Sequence, residues 1–159
     1  MQTSNPLKNR KLAIEIQYAS PAIESALIDI APVTLIKKWV KTSTSKSGML
    51  TVRFVNAAEG KKLNAGFRNK NYATNVLTFT YEVTPTSFNA DLVLCLPVLK
   101  KEAKTQKKPL QDHLAHLIIH GCLHAQGHDH EIEKDAKKME SLEVALLKKL
   151  GIANPYLAQ

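Results

Sequence analysis

The stretch Leu114–His130, LAHLIIHGCLHAQGHDH, decides how this chain is organised. It holds five of the six histidines of the 159-residue sequence. On an α-helix His120 and His124 lie about 40° apart around the axis and roughly 6 Å apart along it, so both imidazoles can reach one metal ion. The spacing predicts a helix that carries two ligands of a metal site.

The other two histidines on this stripe do not fit the same ion. A metal–nitrogen bond is only about 2 Å long, and His116 lies roughly 12 Å of axial rise from His124 on a straight helix. We expect His116 and His113 to be hydrogen-bonded packing residues on a stripe that faces a sheet. The third ligand must come from chain that leaves the helix and turns back.

Gly127 is placed to end the helix, because glycine adopts a positive φ at little cost. The turn brings His130 within reach of His120 and His124. The resulting pattern, H-x-x-x-H-x-x-G-x-x-H, has the zinc-ligand spacing of metzincin proteases, but Gly121 stands where those enzymes have their general-base Glu. The pattern predicts a zinc site that lacks the peptidase base.

Length and composition are those of a single globular domain, expected over residues 1–159, and a chain of this size buries about 70% of its unfolded surface. No apolar run approaches the ~20 residues of a membrane span, and the start, MQTSNPLKNRK, has no signal-peptide hydrophobic region. We therefore expect a cytoplasmic protein with no membrane partner.

A net charge of +8 favours an anionic partner, most often nucleic acid. The lysines of residues 100–108 form either a solvated helix face or part of an RNA track. Cys95 and Cys122 match no C-x-x-C pattern and are expected to be reduced, buried packing residues. Cys122 lies on roughly the opposite side of the helix from His120, which makes it a poor metal ligand.

Periodicity predicts an α+β domain with a mixed sheet of about four strands and about five helices. The predicted strands are 11–18, 50–55, 75–81 and 91–96, and the predicted helices are 32–41, 57–66, 97–106, the histidine helix and 131–150. Residues 91–96, DLVLCL, are apolar on both faces and are expected at the centre of the sheet. The zinc site is expected at the end of a central helix.

Three blocks match, in order, the motifs of one known family. Residues 120–130, HGCLHAQGHDH, match H-G-x-L-H-L-x-G-Y-D-H. Arg68 and residues 74–79, TNVLTF, match an Arg followed by T-N-V-L-S-F. Ala-Asp at 90–91 and Glu-Ala at 102–103 match G-D before an apolar strand and E-A on a helix.

From about Leu12 to Tyr156 the chain therefore resembles the YbeY family of single-strand-specific metallo-endoribonucleases. The resemblance implies one Zn²⁺ per chain on His120, His124 and His130, with catalytic roles for His120 and Arg68. An arginine suits a scissile phosphate because its planar guanidinium makes bidentate contacts with phosphate oxygens.

By the same resemblance the substrate is ribosomal RNA, in small-subunit 3′ end maturation and ribosome quality control. The small ribosomal subunit and its assembly factors are the implied partners. One departure from the family pattern affects the metal site: His128 replaces Tyr and is a fourth candidate nitrogen that can replace or supplement His130. Asp129 can orient a ligand or simply form the turn.

Three histidines leave zinc an open position for water, whose pKa the ion lowers toward ~7, so no protein base is needed. Attack by the RNA 2′-hydroxyl is the alternative chemistry. Two other functions compete with the nuclease. A metzincin-like metalloprotease shares the ligand spacing, and a non-catalytic RNA-binding or ribosome assembly factor would use zinc only to hold its fold.

Overall fold

The computed structural model describes residues 11–68, 74–128 and 133–157, apart from the side chains of residues 67, 68 and 133. This part of the chain forms four strands and six helices. The strands are β1 (Leu12–Tyr18), β2 (Ser47–Val55), β3 (Val76–Val83) and β4 (Ser87–Cys95). The helices are α1 (Pro21–Leu27), α2 (Val33–Ser43), α3 (Ala57–Arg68), α4 (Leu96–Thr105), α5 (Leu110–Ala125) and α6 (Glu133–Lys149).

The strands form one mixed sheet in the order β1-β2-β4-β3. β1 and β4 both pair with β2 in parallel, and β3 pairs antiparallel with β4. The predicted four-stranded mixed sheet is confirmed, and so is the central place of DLVLCL. β4 begins four residues earlier than predicted, at Ser87, because Phe88 and Ala90 continue the alternation of buried side chains.

The two faces of the sheet carry two separate apolar clusters, as the alternation of strand side chains requires. Leu92 and Leu94 point into the larger cluster, which α2 and α5 cover. Val93 and Cys95 point into the smaller one, where Leu63 of α3 packs. The sheet is therefore buried on both sides around β4, and α5 lies over its larger core.

Helix α1 is the one described helix that the periodicity analysis missed. The Ser20 hydroxyl accepts a hydrogen bond from the amide of Ile23 at 3.3 Å, and Pro21 occupies the first helical position. These are ordinary signals of a helix N-terminus. Ile23 and Leu27 are buried in the larger core, which holds this short helix in place.

Helix α5 approaches the sheet closely at Gly121. A Cβ atom added there would lie 2.9 Å from Cδ2 and 3.1 Å from Cδ1 of Leu92, a fully buried residue of β4. Real Cβ atoms rarely come so near their neighbours, so a side chain at this position would require the buried Leu92 to shift.

The predicted end of α5 at Gly127 is confirmed, since its φ is 98°. The amide of His128 donates to the carbonyl of Leu123 at 3.1 Å, so the chain folds back over the last turn. The Gln126 side chain donates to the carbonyl of Ser43 at 3.0 Å and so ties the end of α5 to the end of α2.

Gly151, with φ 76°, follows α6 as predicted. The expected packing role of Met139 is also confirmed, because its side chain is buried in the larger core. None of the helices in the described ranges is long and apolar enough to cross a membrane.

The contact at Gly121 predicts that Gly121→Ala destabilises the protein. Crowding in a packed core costs about 1–3 kcal/mol, which exceeds the ~0.5–1 kcal/mol that alanine contributes over glycine in a helix. The matched control is Gly66→Ala in α3, where nothing lies within 4 Å of an added Cβ. Urea unfolding should show a lower free energy of unfolding for Gly121→Ala and an equal or higher one for Gly66→Ala. Equal effects at the two sites would mean that Leu92 moves aside without cost.

Candidate metal centre

The structure brings His120 and His124 together near the end of α5. Their ring centroids are 4.8 Å apart, with an angle of 75° between the ring planes. Both residues are half-buried, so the edge of the pair reaches the surface. Their placement on one side of the helix agrees with the geometry expected of two ligands for one ion.

The third predicted ligand, His130, and its neighbour Asp129 lie outside the described residues. Within residues 11–68, 74–128 and 133–157, no group of three His, Cys, Asp or Glu side chains is arranged to hold a metal ion. The three-histidine site therefore stays a prediction.

A buried carboxylate lies directly behind His120. Glu143 of α6 has no exposed surface. Its Oε1 accepts a hydrogen bond from Nδ1 of His120, and its Oε2 accepts one from the hydroxyl of Tyr156. Nε2 of His116 lies 3.6 Å from the same Oε2. Two helices and the segment after α6 thus meet at one carboxyl group.

These contacts keep Glu143 ionised despite its burial. Burial raises the pKa of the carboxyl group, but its interactions with His116, His120 and Tyr156 outweigh burial and hold that pKa at about 2. Burial and the neighbouring carboxylate both raise the pKa of Tyr156, so its hydroxyl stays protonated and donates to Glu143. The site therefore contains a permanent negative charge in the protein interior.

The hydrogen bond to Glu143 also sets the tautomer of His120. An ionised carboxylate can only accept, so Nδ1 of His120 must carry the proton. The neutral ring then has its lone pair on Nε2, the nitrogen that a metal ion would bind. Imidazoles backed by carboxylates are the usual ligand arrangement of zinc sites, and the residues present fit a zinc ion.

The other histidines of α5 do not face the sheet, contrary to our prediction. Nε2 of His116 lies 3.2 Å from the Tyr156 hydroxyl, and the two rings meet edge to face at 5.4 Å. His113 bonds to Glu102 of α4. The sheet-facing side of α5 contains Gly121 instead. The hydrogen-bonded packing role expected of both histidines is confirmed.

His113 lies in a second polar cluster, further from the metal pair. Its Nε2 is 3.0 Å from Oε1 of Glu102, and the Asn75 side chain donates to both oxygens of that carboxylate at 3.3 Å. His113 is almost fully buried, and within the described part of the chain its Nδ1 has no hydrogen-bond partner. Burial lowers the pKa of His113, although the bond to Glu102 works in the opposite direction.

A cavity of about 530 Å³ connects these two clusters. One wall is the histidine side of α5, and the other is the segment after α6, from Ile152 to Leu157. His120 lines one part of the cavity, and Asn75, Glu102 and Lys108 line another. His120 of the candidate metal pair therefore borders a cavity large enough for a small organic ligand.

His128 is half-buried beyond the end of α5. Burial lowers its pKa, and the positive charges of Lys138 and Lys46 lower it further. These two lysines show that cationic side chains from α6 and from the segment before β2 surround this end of α5.

Arg68 is the last residue of α3, and its side chain lies outside the described part of the structure. Of the lysines at 100–108, Lys108 is half-buried and lines the cavity, whereas the others are exposed. Cys95 and Cys122 are buried free thiols, as predicted. Burial raises the pKa of Cys122 to about 12, so this thiol stays protonated in its apolar surroundings.

Two site residues were not found from the sequence: Glu143 and Tyr156. The spacing of the sequence could have pointed to Glu143, because this residue lies four positions from both Met139 and Leu147. All three are buried in the structure. A glutamate on the apolar stripe of a helix needs a partner. No comparable signal marks Tyr156, which lies in an irregular segment.

Comparison with known proteins places these features in one family. The family model described as Endoribonuclease YbeY matches residues 14–151. The endoribonuclease YbeY of Polynucleobacter asymbioticus is 66% identical over 149 residues, which cover 94% of this chain and 96% of that protein. That of Burkholderia lata is 47% identical over 156 residues, covering 97% and 91% of the two chains.

Among solved structures, the fold is similar to a Thermotoga maritima protein determined in solution. The TM-score is 0.55 at 23% sequence identity, with 87% of this chain and 91% of that chain covered. This likeness supports the α+β fold.

The buried His113 predicts a pH dependence of stability. Its pKa is lowered in the folded protein, whereas the unfolded chain takes up the proton near pH 6.5. Below that pH the unfolded state binds more protons, so stability falls as the pH decreases. His113→Gln keeps a donor for Glu102 but cannot titrate, and its stability should fall less steeply between pH 7.5 and 5.5.

Urea unfolding at several pH values measures this difference. Both proteins should be stripped of metal, because metal binding to histidine is itself pH-dependent. Parallel stability curves for the wild type and His113→Gln would contradict the prediction.

Proposed function

The chain belongs to the YbeY family of endoribonucleases, and from this membership we propose that it hydrolyses phosphodiester bonds of single-stranded RNA at a zinc site formed by His120, His124 and His130. The single observation that carries the proposal is the His120–His124 pair, whose rings lie 4.8 Å apart. The pair lies within the matched family region. We propose that residues 1–159 form a single domain that contains this one site.

One zinc ion per chain fits the donor set. His120 would bind through Nε2, because its Nδ1 donates to Glu143. His124 lies one helical turn further along, and Gly127 turns the chain after α5 with its positive φ. A zinc ion with three imidazole ligands supplies Lewis acidity and lowers the pKa of water toward ~7.

The protein's own residues would bind and orient the RNA. Arg68 would contact the scissile phosphate through its guanidinium and stabilise the negative charge that develops on the phosphate oxygens. Asn75, seven residues further along the chain, lines the same cavity as His120.

Position 121, where a metzincin protease has its general-base Glu, is Gly121 in this chain. Gly121 follows the first histidine, and an added Cβ there would already meet Leu92. A glutamate at position 121 would have to displace the Leu92 side chain. A metzincin-like protease is disfavoured for this reason and by the family match, and the match equally disfavours a factor that uses zinc only to hold its fold.

The substrate we propose is ribosomal RNA of the small subunit, cut during 3′ end maturation and ribosome quality control in the cytoplasm. The small subunit and its assembly factors would be the partners. The net charge of +8 suits an RNA substrate. Lys108, half-buried in the cavity wall, is placed to meet an anionic ligand.

Cleavage of a labelled single-stranded RNA tests the proposal. His120→Ala and Arg68→Glu should each reduce the rate by at least about 100-fold, since one loses a metal ligand and the other reverses the charge at the phosphate. Lys61→Glu is the control for Arg68→Glu, because Lys61 is exposed on the same helix and undergoes the same change of charge. Each variant is first checked for folding and bound zinc.

If all the proteins cut alike, the activity belongs to a contaminant and the nuclease proposal fails. Loss of activity in Lys61→Glu as well as Arg68→Glu would reduce the role of Arg68 to general electrostatic attraction. Chelation of zinc should abolish wild-type cleavage, and added zinc should restore it.

A substrate with one 2′-deoxynucleotide at the cut position identifies the nucleophile. Attack by water does not use the 2′-hydroxyl, so we expect this substrate to be cut at a rate within about tenfold of normal RNA, without a cyclic phosphate product. Complete resistance of the deoxy substrate, together with a cyclic phosphate from normal RNA, would establish internal attack instead.

A further inference from the structure

We propose that Glu143 is a positioning residue of the metal centre and that Tyr156 holds it in place, so that the segment after α6 belongs to the site. This inference rests on the proposed zinc site at His120. Glu143 would not touch the RNA or the reacting phosphate. It would act by fixing one ligand in the orientation and tautomer that zinc requires.

Both oxygens of the Glu143 carboxylate take part in hydrogen bonds. Glu143 has no exposed surface. One oxygen accepts from Nδ1 of His120, and the other accepts from the hydroxyl of Tyr156. With both oxygens engaged, the carboxyl plane cannot rotate without breaking a bond. The imidazole of His120 is therefore held at a fixed angle on α5.

The ion-pair partners of the buried Glu143 carboxylate are histidines. A buried carboxylate is costly unless its charge is compensated, and Lys or Arg is the usual partner. Among the described residues, the ion-pair partners of Glu143 are His116 and His120, not lysine or arginine. A divalent cation bound on the far side of the His120 ring would supply the missing positive charge through the imidazole.

The position of Tyr156 also supports the inference. The residue keeps 43% of its surface exposed, so it is only partly buried against α5. Its hydroxyl nevertheless reaches the buried Glu143, and its ring contacts His116 edge to face at 5.4 Å. The segment after α6 is thus joined by a hydrogen bond to the carboxylate that holds His120.

The affinity for zinc tests the inference independently of RNA cleavage. The full-length protein and its variants are titrated against a chromophoric chelator, and unfolding of the metal-free proteins is measured in urea. Removal of a carboxylate behind a ligating histidine weakens metal binding by about 10–100-fold. We expect Glu143→Gln to show such a loss and Tyr156→Phe a smaller loss in the same direction.

The matched control is Tyr81→Phe. The Tyr81 hydroxyl also donates to a carboxylate, Oδ2 of Asp91 at 2.6 Å, but this pair is exposed on the sheet. Its removal should leave zinc affinity unchanged. The cobalt(II)-substituted protein gives a second readout, because the visible spectrum of the ion should shift in Glu143→Gln and stay constant in Tyr81→Phe.

The outcomes separate this inference from the proposed function. If His120→Ala binds zinc as tightly as the wild type, the proposed metal site itself is wrong. If His120→Ala loses zinc but Glu143→Gln and Tyr156→Phe retain full affinity, the site stands and the positioning role is refuted. A loss of metal-free stability without loss of zinc affinity would likewise assign Glu143 to the fold alone. If Glu143→Gln does not fold, Tyr156→Phe still decides the question.

Discussion

The close packing of α5 on the sheet at Gly121 determines where the histidines of this protein lie. With Gly121 against Leu92 of β4, the helix has a fixed rotation about its axis. His124 and His120 then lie about 60° and 100° around the helix from the sheet-facing direction. His120 thereby meets Glu143 of α6. The packing of α5 on the sheet, which includes the contact between Gly121 and Leu92, thus sets the direction of the candidate metal site.

The buried carboxylate of Glu143 is the second constraint on His120. Glu143 comes from a different helix and Tyr156 from an irregular segment, yet Glu143 meets His120 and Tyr156 meets Glu143. The cost of burying a carboxylate makes this meeting specific, because any register of α6 that separated Glu143 from its donors would leave the charge without partners. The same cost explains why α6 cannot slide along α5 without loss of stability.

Local patterns predicted most of the elements but few of the contacts between them. The alternation of residues 11–18 predicted β1, because a strand buried on one face alternates apolar and polar residues. The apolar run of residues 91–96 predicted the central place of β4, because a strand buried on both faces is apolar throughout. The signals of α1 at Ser20 and Pro21 were present, but the helix is too short to show a clear period. His120 and His124 were predicted as a pair from spacing alone.

The partners of the histidines could not be predicted in this way. Glu143 lies in a helix with many exposed charged residues, and only the burial of Met139 and Leu147 one turn to either side sets it apart. Tyr156 lies 40 residues from His116, and Glu102 lies on a different helix from His113, so no local rule predicts either contact. Our prediction that the stripe of His113 faces the sheet failed for the same reason. Periodicity shows which residues share one face of a helix, but not which other element that face contacts.

Gly121 affects both the packing of α5 and the set of side chains available at the site. A protease with the same ligand spacing uses the position after its first histidine for a general base, whereas here that position is occupied by the contact with Leu92. A glutamate side chain there would have to displace Leu92 or move α5 away from the sheet. Position 121 therefore contributes to the packing of α5 on the sheet and supplies no ionisable group to the site, which is where this chain departs from a protease with the same ligand spacing.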